Sequence, residues 1–303
     1  MKMRVAIVGC GAVASIHAAN LIHQPGVELT ALYSPDIQSA EPFAAAHRIP
    51  KIAASLQSAI VEADAVLICS PSALHFEQAR ECLRAGRHTL IEFPACEQLS
   101  EAEELEHEAQ KHDMLLGCAH TARYLEPYAR IQSALQTGSI GEITSLSYTR
   151  HLQLRPRSWT DNALAHHAAH AIDLVLQWCG GFEPLQCLVT PDSTPAQSVS
   201  ILARLPGGGP LSMTVSYGAR LPVSQMVAVC TRHTLETDGF TYLRSDLEEL
   251  QFAGEERAVY ELAIQRQDAE FIGGCRGANP FVPWADTMSL IREVNRLQAM
   301  SCS

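Results

Sequence analysis

Lysine is nearly missing from this sequence. It occurs at Lys2, Lys51 and Lys111, so almost all of the positive charge is carried by arginine. A Schiff-base mechanism, or acid/base work by an amine, would have to use one of those three positions. Also missing is any Cys-x-x-Cys pair. The ten cysteines are scattered, which argues against a disulfide framework and a thiolate zinc site and leaves them as reduced, small, mostly buried apolar residues. Basic residues are outnumbered, 22 Lys and Arg to 33 Asp and Glu, and the formal net charge is −11. Nucleic acids and anionic membranes are met with broad basic surfaces, so neither is an expected partner. No apolar run approaches the roughly 20 residues that a membrane span needs. Met1-Lys2-Met3-Arg4 leads directly into a strand-like segment. The expected location is the cytoplasm.

What is present is ordinary globular material, 47% hydrophobic and 18% charged over 303 residues. At roughly 150 residues per domain, that length predicts two domains. Strand-like runs at 4–8, 27–33, 65–69, 89–91 and 115–118 alternate with helix-period stretches near 12–23, 36–47, 73–84 and 100–112. Ser100 followed by Glu103 reads as the capping box that starts the last of these helices. Such alternation builds βαβ units on a parallel sheet. Beyond residue 120 the pattern changes. Helix-like stretches at 124–136 and 163–179 flank an alternating run at 142–150, and short strands follow at 198–205, 211–217, 225–230 and 233–237. Pro206-Gly207-Gly208-Gly209-Pro210 joins two of them as a hairpin-type connection, and helices near 260–274 and 284–300 close the chain. The expected architecture is an α/β domain with a parallel sheet, residues 1–120, followed by an α+β domain with a mostly antiparallel sheet, residues 121–303.

Gly9-Cys10-Gly11-Ala12-Val13-Ala14 is a G-x-G-x-x-A run between an apolar strand and a helix, the setting a dinucleotide fingerprint requires. Gly9 permits the tight turn, and Gly11 lets the backbone approach a pyrophosphate. The small Ala14 allows close helix–strand packing, while Ala12 and Val13 open the helix whose N–H groups face the anion. The first domain is therefore expected to be a Rossmann domain. An acid ending the second strand would select NAD, and a nearby arginine would select the 2′-phosphate of NADP. The strand ends Tyr33-Ser34-Pro35-Asp36. Ser34 suits either ribose or phosphate, and Asp36 would repel a phosphate, which leans the choice slightly to NAD.

His166, His170 and Asp173 fall at i, i+4 and i+7 of one expected helix and so share a face. The spacing leaves three readings open: a metal pair, histidines satisfied by hydrogen bonds, or acid/base work. No obvious third ligand motif lies nearby, so no metal is expected. His167 points elsewhere on that helix, as a bystander. Between residues 148 and 170 stand Arg150, Arg155, Arg157 and four histidines against one acid, Asp161. This cationic island reads either as a solvated surface or, with Arg123, as a clamp for substrate carboxylates, which arginine grips in bidentate fashion.

Taken as a set, Gly9–Ala14, Cys69-Ser70-Pro71 with His75, Ala85-Gly86-Arg87-His88 and Ile91-Glu92-Phe93-Pro94 resemble the glucose-fructose oxidoreductase/inositol dehydrogenase (Gfo/Idh/MocA) family. The resemblance implies coenzyme contacts at Ser70, Pro71, His75 and Glu92, a second domain on an open sheet, and homo-dimers or homo-tetramers packed through it. The family's Glu-Lys-Pro motif carries a catalytic lysine where this chain has Phe93. A narrower likeness lies in Arg155-Pro156-Arg157-Ser158-Trp159-Thr160-Asp161, His166-His167-Ala168-Ala169-His170-Ala171-Ile172-Asp173, Ala119-His120-Thr121-Ala122-Arg123-Tyr124 and Gln267-Asp268-Ala269-Glu270-Phe271-Ile272. These resemble the 4-carboxy-2-hydroxymuconate-6-semialdehyde dehydrogenases of aromatic catabolism, which also lack the lysine. That group prefers NADP and carries Ser-Arg-Lys where this chain has Ser34-Pro35-Asp36.

The resemblance places a catalytic histidine at His170. It implies oxidation of a cyclic hemiacetal to a lactone, with His170 as base, His166 assisting, Asp173 orienting, and Arg123, Arg155 and Arg157 holding carboxylates of a small anionic substrate. A sugar or polyol dehydrogenase is the alternative within the family. A coenzyme-binding regulator without catalysis is the alternative outside it, with Phe93 as its supporting feature.

Overall fold

The computed structural model describes residues 2–153, 162–190, 198–252, 254–278 and 281–301, so Arg155, Arg157 and Trp159 lie outside the described residues. The chain divides into two compact units, Met1–His120 with Ile264–Ile291, and Thr121–Ala263 with Arg292–Ser303.

In the first unit, β1 (Met3–Val8), α1 (Ala12–Leu21), β2 (Val27–Tyr33), α2 (Ile37–Ala46), α3 (Leu56–Ile60), β3 (Ala65–Ile68), α4 (His75–Arg84), β4 (His88–Ile91), α5 (Leu99–Lys111) and β5 (Leu116–Cys118) follow in order. The strands form one parallel sheet, β2-β1-β3-β4-β5. Alternate residues of β1 feed opposite cores, Val5 and Ile7 on one side, Ala6 and Val8 on the other. A sheet buried on both faces explains why these strands read as continuous apolar runs rather than alternating ones. Helix α5 starts one residue before the expected Ser100. The cap is supplied by Glu101, whose carboxylate accepts from the Glu97 and Gln98 N–H groups at 3.0 Å each. A charged acceptor for two free N–H groups outcompetes a serine cap.

The sequence reading leaves 264–291 with the rest of the C-terminal region. Its apolar residues account for its membership of the first unit. Phe271, Ile272 and Phe281 enter one core and Trp284 and Ile291 the other, with the Trp284 indole N–H donating to the Ala102 carbonyl at 3.0 Å.

The second unit begins with a 3-10 turn at Thr121–Tyr124 and α6 (Glu126–Gln136), then β6 (Ile143–Leu152). One turn of π-helix at Leu164–Ala168 runs into α7 (Ala169–Cys179), which ends at Gly180 in the left-handed conformation. The strands β7 (Glu183–Thr190), β8 (Ser198–Arg204), β9 (Pro210–Tyr217), β10 (Val223–Cys230), β11 (Thr234–Thr237), β12 (Tyr242–Ser245) and β13 (Glu249–Gln251) complete the sheet β13-β12-β11-β10-β6-β9-β8-β7. All described pairings in it are antiparallel except β6 with β9. The expected hairpin between β8 and β9 is present. Strand β7 escaped the sequence reading because Pro184 interrupts it; proline is tolerated there because β7 is an edge strand. The chain closes with α8 (Glu256–Cys275) and α9 (Trp284–Ser301).

Inside the second unit, Arg123 of the 3-10 turn is locked to α7. Its Nε and Nη2 donate to the two Asp173 carboxylate oxygens at 2.8 and 2.6 Å, with side chains 8% and 2% exposed. Removing one partner strands the other charge away from water. Asp173→Asn is expected to cost about 3–5 kcal/mol in urea unfolding. An unchanged midpoint would show that the pair is not structural. A similar test applies to Gly9, whose φ is +98° and where an added Cβ would sit 2.5 Å from the Cys69 carbonyl oxygen. Gly9→Ala is expected to destabilise by at least about 1–3 kcal/mol through strain alone. Wild-type stability in that variant would contradict the tight turn.

Candidate active site

The glycine turn sits at the carboxyl ends of the parallel strands, where open α/β sheets bind ligands. Gly9 N–H donates to the Tyr33 carbonyl at 2.8 Å, fixing the turn against β2. Helix α1 then begins at Gly11 with no side-chain cap and no acid in its first turn. A Cβ built on Gly11 would meet nothing within 4 Å, and Ala12 beside it is exposed. Uncapped N–H groups facing open space fit an anionic pyrophosphate. Val13 is half-buried behind them and Ala14 is fully buried against the sheet.

Ser34 directly follows β2 and is only 6% exposed at the base of the turn, its hydroxyl accepting from the Asp36 N–H at 3.3 Å and the Cys10 thiol at 3.4 Å. Asp36 caps α2 through Ser39, and those hydrogen bonds hold its carboxyl below the usual range. Its negative charge is therefore fixed three residues beyond β2.

Past β3, the Ser70 hydroxyl donates to Gln78 at 2.5 Å and Pro71 is exposed. His75, expected at the nicotinamide ribose, has another place. It is 1% exposed, with Nδ1 2.8 Å from the Pro94 carbonyl and Nε2 2.7 Å from the Ser70 carbonyl. Burial pushes its pKa below the ordinary histidine value. It braces the loop after β3 against the loop after β4. Phe93 packs against the core beneath, its ring 6.3 Å from that of His120.

Glu92, at the end of β4, is joined to a residue that sequence reasoning passed over. His17 on the buried face of α1 lies 2.9 Å from Glu92 Oε1 through Nε2 and 2.6 Å from Asp268 Oδ1 through Nδ1. The signal was a titratable residue on the apolar face of a short helix, Ala12–Leu21. Asp268 gave the same signal on α8, where it is 1% exposed.

In the second unit, the π-turn alters the expected helix face. It inserts extra chain into the turn that carries His166 and His167, and such π-turns recur at functional sites. The His167 ring lies 6.4 Å from that of His170 and 5.4 Å from Tyr217 at the end of β9. Nearby in the sheet, His151 Nδ1 and the Ser216 hydroxyl are 2.6 Å apart. The approach of Tyr217 to His167 was not legible in the sequence because it depends on the β6–β9 pairing. Of the arginines in the expected island, Arg150 lies among the described residues and Arg155 and Arg157 do not. Arg150 stacks over Phe240 at 5.0 Å and lies 3.6 Å from Glu256, and the carboxylate-gripping edge of Arg123 is already on Asp173. Among the described residues no three His, Cys, Asp or Glu side chains are grouped to hold a metal ion.

Residues 3–120 match the model of an oxidoreductase family with an NAD-binding Rossmann fold. The chain is 26% identical to a 4-carboxy-2-hydroxymuconate-6-semialdehyde dehydrogenase of Sphingobium sp. strain SYK-6, over 98% of both proteins. It is 29% identical to a UDP-N-acetylglucosamine 3-dehydrogenase of Acidithiobacillus ferrooxidans, over 61% of this chain and 56% of that one. Among solved structures, UDP-N-acetylglucosamine 3-dehydrogenase GnnA from A. ferrooxidans aligns with a TM-score of 0.85 at 21% identity, over 100% of this chain and 99% of that one. GenD2 from gentamicin A biosynthesis, in complex with NAD, aligns with a TM-score of 0.87 at 16% identity, over 100% and 95%. At such identities the structural likeness shows the fold. With the uncapped glycine turn and the parallel sheet, the match identifies residues 3–120 as an NAD-binding Rossmann domain of the Gfo/Idh/MocA oxidoreductase family, in a chain similar to dehydrogenases along its length.

Proposed function

We propose that this dehydrogenase oxidises the cyclic hemiacetal of a carboxylated semialdehyde to a lactone, with His170 taking the proton. The observation that carries the reading is the histidine group on the π-turn and α7, His166, His167 and His170 with Tyr217 beside them, in a chain whose lysines lie elsewhere. The end-to-end likeness to the Sphingobium dehydrogenase supports the substrate class. Oxidation removes a hydride from the hemiacetal carbon and a proton from its hydroxyl, leaving a carbonyl. Bound coenzyme supplies the hydride acceptor. Gly9, Gly11, Ala12 and Val13 would receive its pyrophosphate, with Ser34 and Asp36 toward the adenosine ribose and Ser70, Pro71 and Glu92 toward the other half. The fixed Asp36 charge favours NAD over NADP. Histidine titrates near neutrality without extreme tuning, which suits the base. Arg123 and Asp173 then act as the brace for α7, and Arg155 and Arg157 are left to meet substrate carboxylates.

One observation favours a second reading, oxidation of an uncharged sugar or polyol. Arg123 and Arg150 both direct their charge to partners inside the second unit.

We also propose that the chain forms a homo-oligomer through the large sheet. Leu188, Leu202 and Val229 are exposed on one face of it, at 61%, 46% and 38%, among Ser147, Ser200 and Ser212. Apolar side chains gathered on a sheet face mark an association surface. Light scattering should show a dimer or tetramer that Leu202→Arg dissociates; a monomeric wild type would overturn this proposal. For the base, His170→Ala should lower kcat by about 10²–10⁴-fold at neutral pH. Unchanged kcat in both His170→Ala and His166→Ala would eliminate the histidine mechanism.

A further inference from the structure

The Asp268–His17–Glu92 cluster has a charge that geometry fixes. Both His17 nitrogens face carboxylate oxygens, at 2.6 and 2.9 Å, and each hydrogen bond needs one proton. With one proton in each hydrogen bond, two carboxylates and one imidazole ring carry a net charge of −1, although burial raises the Asp268 carboxyl above its usual range against the pull of His17. His17 and Asp268 are each 1% exposed, while the Glu92 side chain reaches the surface at 16%. Among the described residues neither carboxylate has a lysine or arginine ion-pair partner. Burial opposes charge on His17, but Asp268 and Glu92 outweigh it and keep the ring protonated far above the usual range. Beside them, burial and the same two carboxylates keep the Cys69 thiol neutral. The cluster is thus a buried negative charge with one exposed end.

Its place in the sheet gives it a use. Pyrophosphate belongs at the glycine turn between β1 and α1, and the adenosine ribose at the end of β2. In the order β2-β1-β3-β4-β5 the remaining half of a dinucleotide runs the other way, over the ends of β3 and β4, where Ser70 and Glu92 stand. The oxidised nicotinamide ring carries a positive charge and the reduced ring carries none.

We propose that the Asp268–His17–Glu92 cluster selects between the redox forms of the coenzyme, favouring the oxidised form. Glu92 presents the charge, and His17 and Asp268 are positioning residues that hold it there. The proposal rests on the reading of the first unit as a nicotinamide coenzyme site. A unit charge acting over about 10 Å at an effective dielectric near 20 shifts the preference by roughly tenfold.

The test compares dissociation constants of oxidised and reduced NAD, and of the NADP pair, for the full chain and for Asp268→Asn, by calorimetry without substrate. Asp268→Asn leaves a neutral His17–Glu92 pair, so the ratio of reduced to oxidised dissociation constants should fall by roughly tenfold. A structural role alone would weaken both forms by one factor and leave the ratio unchanged, and that result overturns the proposal. Should Asp268→Asn fail to fold, Glu92→Gln at the exposed end is read in the same way, with the same fall expected. If the wild type binds neither form of either coenzyme, the coenzyme reading fails and this inference falls with it. Binding with an unaltered ratio removes the inference alone.

Discussion

An imidazole with a carboxylate on each nitrogen ties together three elements that are far apart in sequence. His17 comes from the first helix, Glu92 from the end of the fourth strand and Asp268 from α8. Burying three titratable groups is costly, and the two hydrogen bonds to His17 offset that cost although Asp268 Oδ2 is buried without a hydrogen-bond partner, so losing one member is expensive. The helix that offers its N–H groups to an anion is thereby held by the same cluster that sets the position of Glu92. The glycine turn, the loop after β4 and the segment Ile264–Ile291 behave as one assembly for this reason, and the apolar contacts of Phe271, Phe281 and Trp284 close around it.

The first unit was largely legible in the sequence, because its signals are local. A glycine run between a strand and a helix has a physical meaning at six consecutive positions, and doubly covered strands announce themselves as apolar runs. What was hidden depends on distance in sequence. Nothing local shows that His17 meets Asp268, 251 residues away. Nothing local shows that His75 turns inward to two carbonyls rather than outward to a ligand. In each case the residue type was visible and its partner was not.

The second unit shows the same limit in another form. Helical spacing put His166, His170 and Asp173 on one face, which assumed α-helix throughout; the turn at Leu164–Ala168 is π-helical, and the His167 ring lies 6.4 Å from that of His170. Counting arginines between residues 148 and 170 gave a cationic island, yet Arg150 faces Phe240 and Glu256, and Arg123, outside that stretch, pairs with Asp173. A charge read from sequence is a count, and its use is decided by whether a partner stands opposite. Scarce lysine keeps its meaning: Phe93 packs against the core, and the base proposed here is a histidine.

The proposed division of labour gives coenzyme selection to the first unit and proton removal with substrate choice to the second. Substrate choice is the claim on which this account stands most heavily. Its most direct measurement is the steady-state reduction of NAD and NADP by the purified protein with cyclic hemiacetals of carboxylated semialdehydes, set against uncharged sugars and polyols. The account predicts a clearly higher kcat/KM for the carboxylated hemiacetals, with lactone as product. Turnover confined to uncharged polyols would contradict it.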